Sequence, residues 1–295
     1  MNTNCCICNS QKFTELMKVS DPQIKSDKKY AVVECNHCGL VFVNPQPKNI
    51  FALYPKNYSA YFLSPQKKES KLSFLHSIWG VFVRIVFGKN VWLQKPTKAN
   101  ALLDVGCASG AFLMEMKQLG WNGVGIEPST SACVIAKRAG LNVINNPFEK
   151  AKFSKKFDLI TMKYVIEHFA NPINALKKAN ALLAPKGTLI LNTPNIGSLE
   201  YEIFKENWGA FEVPRHLFLF NKKTIALAMK KAGFEEIKII DEIYPASTII
   251  GLDNRTGKKF SKLIQSKPFF WGLSLIYSIM ARVIGTGRMI IIAKK

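Results

Sequence analysis

Short apolar runs recur through the C-terminal two thirds of the chain, with amphipathic stretches filling most of the intervals between them. The pattern predicts strands at 101–105, 123–126, 141–144, 158–162, 188–192, 236–241 and 288–293. Strand, helix and strand in regular succession predict an α/β, Rossmann-like doubly wound domain on a largely parallel sheet. Ahead of it, 13–16 and 30–33 read as strands of a small β-rich module, which the stiff Asn44-Pro45-Gln46-Pro47 turn closes. Residues 1–46 are assigned to this module, 47–97 to a helical bridge with an aromatic-rich start (Tyr54, Tyr58, Tyr61, Phe62), and 98–295 to the α/β domain. A helical insertion is expected at 255–285.

Two stretches, 72–87 and 268–281, are the most apolar of the chain. A spanning helix needs about 20 apolar residues, and both fall short, with His76 and Arg84 interrupting the first and Arg282 closing the second. They are expected to be core helices, with peripheral docking to the inner face of a membrane as the alternative. Composition agrees with a folded protein: 48% hydrophobic and 21% charged residues. The charge is one-sided, 41 Lys and Arg against 20 Asp and Glu, for a net +21. That balance favours an anionic partner: a phosphate-bearing substrate, an anionic lipid surface or nucleic acid. The lysine pairs, such as Lys67-Lys68, Lys177-Lys178 and Lys230-Lys231, are scattered along the chain as solvated faces are.

The start of the chain, Met1-Asn2-Thr3-Asn4-Cys5, has no basic segment followed by an apolar run, so a cytoplasmic protein with reduced thiols is expected. Five of the seven cysteines precede residue 40. Cys5 and Cys8, then Cys35 and Cys38, form two C-x-x-C pairs, each suited to a tight turn that aims two thiolates at one ion. Four such ligands make a closed tetrahedral zinc site that is structural, because no position is left for water or substrate. Cys6 and His37 are the spare ligands. A module this small has too little core to stand alone, and the metal supplies what burial cannot.

The join between the first strand of the large domain and its helix carries the main functional signal, Leu102-Leu103-Asp104-Val105-Gly106-Cys107-Ala108-Ser109-Gly110. Glycines there let the backbone turn tightly and let a ligand lie against main-chain N–H groups at a helix start. The next strand ends in Gly125-Ile126-Glu127-Pro128, where a carboxylate can accept both hydroxyls of a ribose. The dinucleotide pattern G-x-G-x-x-G is not met, since Ala108 and Ala111 stand at the relevant places. At these two motifs the chain resembles the class I S-adenosylmethionine-dependent methyltransferases.

The resemblance implies a seven-stranded sheet with its last strand antiparallel. It also implies that Gly106, Cys107, Ala108 and Gly110 line the methionine and ribose side of the cofactor, that Asp104 holds the loop, and that Glu127 grips the ribose. Pro128, Phe148 and Lys163 complete the expected cofactor set. In place of the acid that family members often present to the adenine, this chain has Asn145-Asn146-Pro147-Phe148-Glu149, so stacking on Phe148 or backbone contacts are expected there.

After the fourth strand comes Lys163-Tyr164-Val165-Ile166-Glu167-His168-Phe169, at the edge where an open α/β sheet places its ligands. Glu167-His168 resembles the pair found in small-molecule methyltransferases of the ubiquinone-biosynthesis type. His168 is the expected general base for a hydroxyl nucleophile, with Glu167 orienting its ring or holding a substrate hydroxyl; the alternative is that His168 only packs the loop. A second cluster is Asn192-Thr193-Pro194-Asn195 and the run from Trp208 to Pro214-Arg215-His216-Leu217. Its spacing resembles a methyltransferase subgroup suspected in surface-sugar or lipid modification. Tyr164, Asn195 and Arg215 are the expected acceptor-binding residues, and His216 a second candidate base. Trp208, Phe211, Phe218 and Phe220 are expected in the core.

The reading is therefore a methyltransferase acting on a hydroxyl, or a carbon, of a small or lipid-linked acceptor such as a sugar or isoprenoid ring. The alternative is an RNA methyltransferase, suggested by the charge and the zinc module; the chain lacks the Asn-Pro-Pro-Tyr signature of base-modifying enzymes. A third reading, a binding protein without chemistry, is opposed by the intact Asp104, Gly106, Gly110 and Glu127.

Overall fold

Alternating polar and apolar positions near the N-terminus form an antiparallel meander of β1 (Phe13–Ser20), β2 (Lys29–Cys35) and β3 (Val41–Val43). Its fourth strand comes from far along the chain, Phe218–Leu219, which pairs antiparallel with β3. The small module thus shares a sheet with a segment of the large domain. Val32, Val41 and Val43 pack with Trp208, Phe211 and Leu219 in one buried cluster. The computed structural model describes residues 4–20, 28–50, 53–54, 91–92, 94–96, 100–242, 246–257, 259–260, 272 and 285–295. The apolar stretch at 72–87, all of 268–281 except Gly272, most of the bridge and most of the insertion lie outside the described residues. No helix among the described residues is long and apolar enough to cross a membrane.

The large domain is built on β4 (Ala101–Val105), β5 (Asn122–Glu127), β6 (Val143–Asn145), β7 (Phe157–Lys163) and β8 (Leu183–Pro194). The two-residue β9 (Phe218–Leu219) serves the small sheet, while β10 (Glu236–Asp241) and β11 (Arg288–Lys294) return to the large one. Strand order is β10-β11-β8-β7-β4-β5-β6. The pairs from β6 to β8 are parallel, and β11 runs antiparallel to both β8 and β10. β4, buried from Leu102 to Val105, sits at mid-sheet with both faces covered, which is why it is apolar apart from Asp104.

The chain leaves β4 for β5 and β6 on one side and then returns for β7 on the other. That reversal opens a crevice at the carboxyl ends of β4 and β7. Val105 is level with Ile126 on one side and Met162 on the other, so Gly106, Glu127 and Lys163 follow side by side at that edge.

The helices are α1 (Ala111–Gln118), α2 (Thr130–Arg138), α3 (Pro172–Leu182), α4 (Leu199–Phe204), α5 (Lys222–Lys231) and α6 (Ala246–Thr256). Local capping explains several starts. The Asn171 side chain accepts the Asn174 amide at 3.0 Å and Pro172 opens α3. Asn221 and Thr224 form a reciprocal box on α5. By contrast α1 begins at Gly110 with no side-chain cap.

Two details depart from the periodicity. The strand expected at 141–144 begins at Val143, because the Leu141 amide turns back to the Ala136 carbonyl at 3.2 Å to close α2. β3 and β9, three and two residues long, are too short to show any alternation.

Candidate active site

At the carboxyl edge of the sheet lies a cavity of about 520 Å³. Gly106, Ala108, Glu127, Pro128 and Phe148 line one side; Lys163, Tyr164, His168, Glu212, His216 and Arg288 line the other. Lys48, Asn49, Ile50 and Tyr54, from the segment that leaves the small sheet, complete the wall.

On the first side the backbone comes close. Gly106 has φ +70°, and a Cβ there would stand 2.5 Å from Cγ2 of Val165 on the facing turn. Gly110 has φ +85°, with Leu141 Cδ1 2.4 Å from where its Cβ would be. Neither position accepts a side chain without displacement. Glu127 is buried at the end of β5; its Oε2 accepts the Ala108 amide at 3.1 Å and its Oε1 the Ser129 amide at 2.8 Å. Burial raises its pKa, and those two amides pull it back. Each oxygen retains a lone pair for a ligand hydroxyl, and the residue lines the cavity. A glycine cradle beside an anchored carboxylate fits a nucleoside bearing a free ribose diol.

Asp104 lies beneath the loop. The Thr161 hydroxyl on β7 donates to its Oδ1 at 2.7 Å, and burial raises its pKa to about 6. Cys107 directs its thiol inward, where a Cβ on Gly125 would meet Sγ at 2.5 Å. Asp104, Cys107 and Gly110 therefore shape the loop from below, while Gly106, Ala108, Glu127, Pro128, Phe148 and Lys163 face the cavity. Phe148 packs against Phe153 and Phe169. The Lys163 ammonium sits 4.3 Å from the Phe112 ring and 4.9 Å from that of Trp92.

On the other side, residues 166–168 form a single 3₁₀ turn after β7. His168 is half-buried; its Nδ1 lies 2.9 Å from the Arg215 carbonyl and 3.1 Å from the Tyr54 hydroxyl. A carbonyl only accepts, so Nδ1 carries the proton and Nε2 the lone pair. His216 is built alike, with Nδ1 3.0 Å from the Ala210 carbonyl and Nε2 4.0 Å from Glu167 Oε1. The two imidazoles meet edge to face, 4.8 Å between centroids. Burial, and then the neighbouring His216, lowers the His168 pKa to about 3; burial, and then Arg215, does the same to His216. Glu167 is wholly buried, which raises its carboxyl to about 8, and neither of its oxygens has a hydrogen-bond partner among the described residues.

The expected acceptor-binding residues divide. Tyr164, at φ +55°, lines the cavity; its hydroxyl donates to Glu242 Oε2 at 2.5 Å and accepts from Arg288 at 2.9 Å. Asn195 is buried, its amide donating to the Thr286 carbonyl at 3.2 Å, and Arg215 is wholly buried 3.6 Å from Glu212. Neither lines the cavity. Trp208, Phe211, Phe218 and Phe220 are buried, as expected of core residues. Lys48, Tyr54, Glu212, Glu242 and Arg288 were not expected at the site. Tyr54 stood out only as one of an aromatic-rich group, and only the fold brings it and Arg288 here.

The four cysteines of the two C-x-x-C pairs converge: all four sulfurs lie within 4.8 Å of one another, with Cys5 to Cys38 and Cys8 to Cys35 at 3.4 Å. These distances are too long for disulfides and near the roughly 3.8 Å between thiolates around one zinc. Cys6 and His37 stand outside the group. Lys231 on α5 donates to the carbonyl of Ile7 at 2.5 Å, tying the first knuckle to the large domain.

Residues 56–239, more than half of the chain, match a family described as a methyltransferase domain. The chain belongs to this family. Its Rossmann-like sheet and glycine turn make it a class I S-adenosylmethionine-dependent methyltransferase. Among relatives, it is 30% identical over 168 residues to a ubiquinone biosynthesis O-methyltransferase of Pelagibacter ubique, covering 50% of this chain and 70% of that one. It is 29% identical over 152 residues to a tRNA U34 carboxymethyltransferase of Desulfotalea psychrophila, covering 48% of this chain and 47% of that one. A solved S-adenosylmethionine-dependent methyltransferase from Archaeoglobus fulgidus is similar at TM-score 0.49 and 18% identity, covering 75% and 94% of the two chains.

Proposed function

We propose that this enzyme methylates a hydroxyl oxygen of a small or lipid-linked acceptor, such as a sugar or an isoprenoid-bearing ring. The observation that carries the reading is His168: it stands on the cavity wall opposite the glycine turn with Nδ1 tied to a carbonyl, which leaves Nε2 as a lone pair for an acceptor hydroxyl. The relative from Pelagibacter ubique, named for O-methylation, points the same way. The name of the Desulfotalea psychrophila relative favours the second reading, an RNA acceptor.

S-adenosylmethionine supplies an electrophilic methyl on a sulfonium. In this reading Glu127 holds the ribose hydroxyls, Gly106 and Ala108 let the backbone approach, and Phe148 and Pro128 flank the base. Asp104, Cys107 and Gly110 keep the loop in shape. Across the cavity Tyr164 and Lys163 border the acceptor, and His168, with Glu167 and His216 behind it, meets the hydroxyl that becomes the nucleophile. Arg215 and Asn195 brace this wall from beneath. Most of the rate enhancement comes from holding the acceptor oxygen in line with the methyl group. The four cysteines are assigned one structural zinc, which fixes the small module against the site.

The test is methyl transfer from labelled S-adenosylmethionine to a panel of phenols, sugars, lipid-linked sugars and transfer RNA. Turnover on a hydroxylated small molecule, lost in His168→Ala, is the expected result. Turnover on RNA alone would overturn it.

A further inference from the structure

We propose that Arg288, aimed by Tyr164, forms an oxyanion-binding subsite on the acceptor side of the cavity, so that the molecule methylated carries a carboxylate or phosphate besides its hydroxyl. The inference rests on the hydroxyl-methylation reading and names a chemical class for its acceptor. Arg288 is the first residue of β11 and stands opposite Pro194, the last residue of β8; both line the cavity.

The side chain belongs to a built arrangement. Its guanidinium lies 5.0 Å from the centre of the Tyr164 ring, and its Nη1 donates to the Tyr164 hydroxyl at 2.9 Å. That hydroxyl donates in turn to Glu242, whose Oε2 also accepts the Asn192 side-chain amide at 3.1 Å. Tyr164 takes a left-handed φ of +55°, an unfavourable conformation for a residue with so large a side chain. Its amide is fastened to Asn192, 3.0 Å from the side-chain oxygen and 3.2 Å from the carbonyl. Backbone strain of this kind gathers at ligand clamps, where the surrounding bonds hold it in place. Here it sets an aromatic platform beneath one cation. A stacked guanidinium of fixed direction is a planar fork whose geometry matches two oxygens of a carboxylate or phosphate.

The neighbouring charges are distributed to suit an anion there. Lys163 also lines the cavity, but its ammonium lies against the Phe112 and Trp92 rings, and Lys48 is exposed. Arg215, the anion anchor expected from the sequence, is wholly buried beside Glu212. Arg288 is thus the cation of the acceptor wall. Its field reaches the histidine side: burial first, then Arg215 and after them Arg288 depress the His216 imidazole, and Arg288 opposes the rise that burial imposes on Glu167. An anion held by Arg288 lies within electrostatic reach of the wall where His168 meets the hydroxyl. The chain's net charge of +21 draws anions toward the molecule, and this fork gives the attraction a place.

The experiment is calorimetry of the full-length protein with S-adenosylhomocysteine bound, at about 0.15 M salt so that the general positive charge is screened. Each set of probes differs by one anionic group: the three hydroxybenzoates against phenol, and glucose 6-phosphate against glucose. At least one anionic probe is expected to bind about tenfold or more tightly than its neutral partner, as a charge-assisted pair provides. Preference for a hydroxybenzoate identifies a carboxylate, and preference for the sugar phosphate a phosphate. The preference should shrink to within about twofold in Arg288→Gln and fall by about threefold or more in Tyr164→Phe, which keeps the ring and loses the aiming bond. It should persist in Lys18→Gln, which removes one exposed charge from the outer strand of the small sheet. Folding of each variant is checked by near-ultraviolet circular dichroism. Arg288→Lys is the second variant at the position; it keeps the charge, loses the fork, and should lose about threefold or more of the preference. No preference in wild-type protein, or a preference undiminished in the folded Arg288 variants, would overturn the subsite. Methyl transfer to neutral and anionic hydroxyl compounds alike, without such a preference, removes the subsite and keeps the proposed function. An anion preference that depends on Arg288, with no methyl transfer to any hydroxyl, does the reverse.

Discussion

The Leu217 amide donates to the Glu167 carbonyl at 2.8 Å, while the Leu217 carbonyl accepts the Val43 amide at 2.9 Å. One residue thus bonds the turn that carries Glu167 and His168 to the last strand of the cysteine module. The next residue, Phe218, continues the pairing with Phe42. The small sheet is therefore part of the wall behind the candidate site.

Loss of the metal from the cysteine module should reach the active site through these bonds. Cys5→Ser or Cys38→Ser is expected to drop the zinc content from one ion per chain toward none by elemental analysis. The thermal midpoint should fall by at least about 4 °C, the shift that roughly 1 to 2 kcal/mol produces in a chain this size. Methyl transfer should fall with it. A metal-free protein with unchanged melting and activity would contradict the assignment.

Glu127→Ala removes the ribose anchor and leaves the Ala108 and Ser129 amides without their acceptor. Hydrogen bonds to a charged group contribute about 1.5 to 3 kcal/mol each. Calorimetry with S-adenosylhomocysteine should show affinity reduced by at least about tenfold. Unchanged affinity would move the nucleoside elsewhere.

His168→Ala tests the facing wall. Cofactor affinity should stay within about twofold of wild type, while kcat falls by about 10²-fold or more. A variant with full turnover would leave His168 as packing for the Tyr54 and Arg215 segments.

Asp104 carries a pH signature. Its pKa rises with burial from 3.8 unfolded to about 6 in the fold, so the native state holds the proton more tightly. The contribution to stability is fully present below 3.8 and is lost as pH rises through 6, leaving a cost of about 3 kcal/mol above it. Asparagine keeps an oxygen for the Thr161 hydroxyl and cannot ionise. In cofactor-free protein, the stability of Asp104→Asn relative to wild type should therefore increase by about 2 kcal/mol between pH 4 and pH 7 in urea titrations. A constant difference would place the proton elsewhere.

The strands of the large sheet are legible in the sequence because each is a short segment rich in apolar, often β-branched residues, and the glycine turn and Glu127 follow them at fixed offsets. The cysteine knuckles are legible because both halves of each pair are local. Arg215 shows the limit: next to His216 it looks like an anion anchor, but its side chain turns inward toward Glu212. Arg288 and Glu242 are separated by forty-five positions in the chain, and antiparallel pairing brings β10 and β11 together behind Tyr164. Tyr54 reaches His168 across 114 residues. Sequence periodicity contains no term for such meetings.

The hydrogen atom that Gly106 carries in place of a methyl group has a thermodynamic consequence. With Val165 pressed against that bare Cα, a displacement on the donor side is transmitted to the turn holding His168. Any factor by which bound donor changes acceptor affinity must then reappear, equal in size, when acceptor is bound first. Enlarging position 106 should alter both affinities and their mutual dependence, so the residue with the least substance at this site governs how its two ligands sense each other.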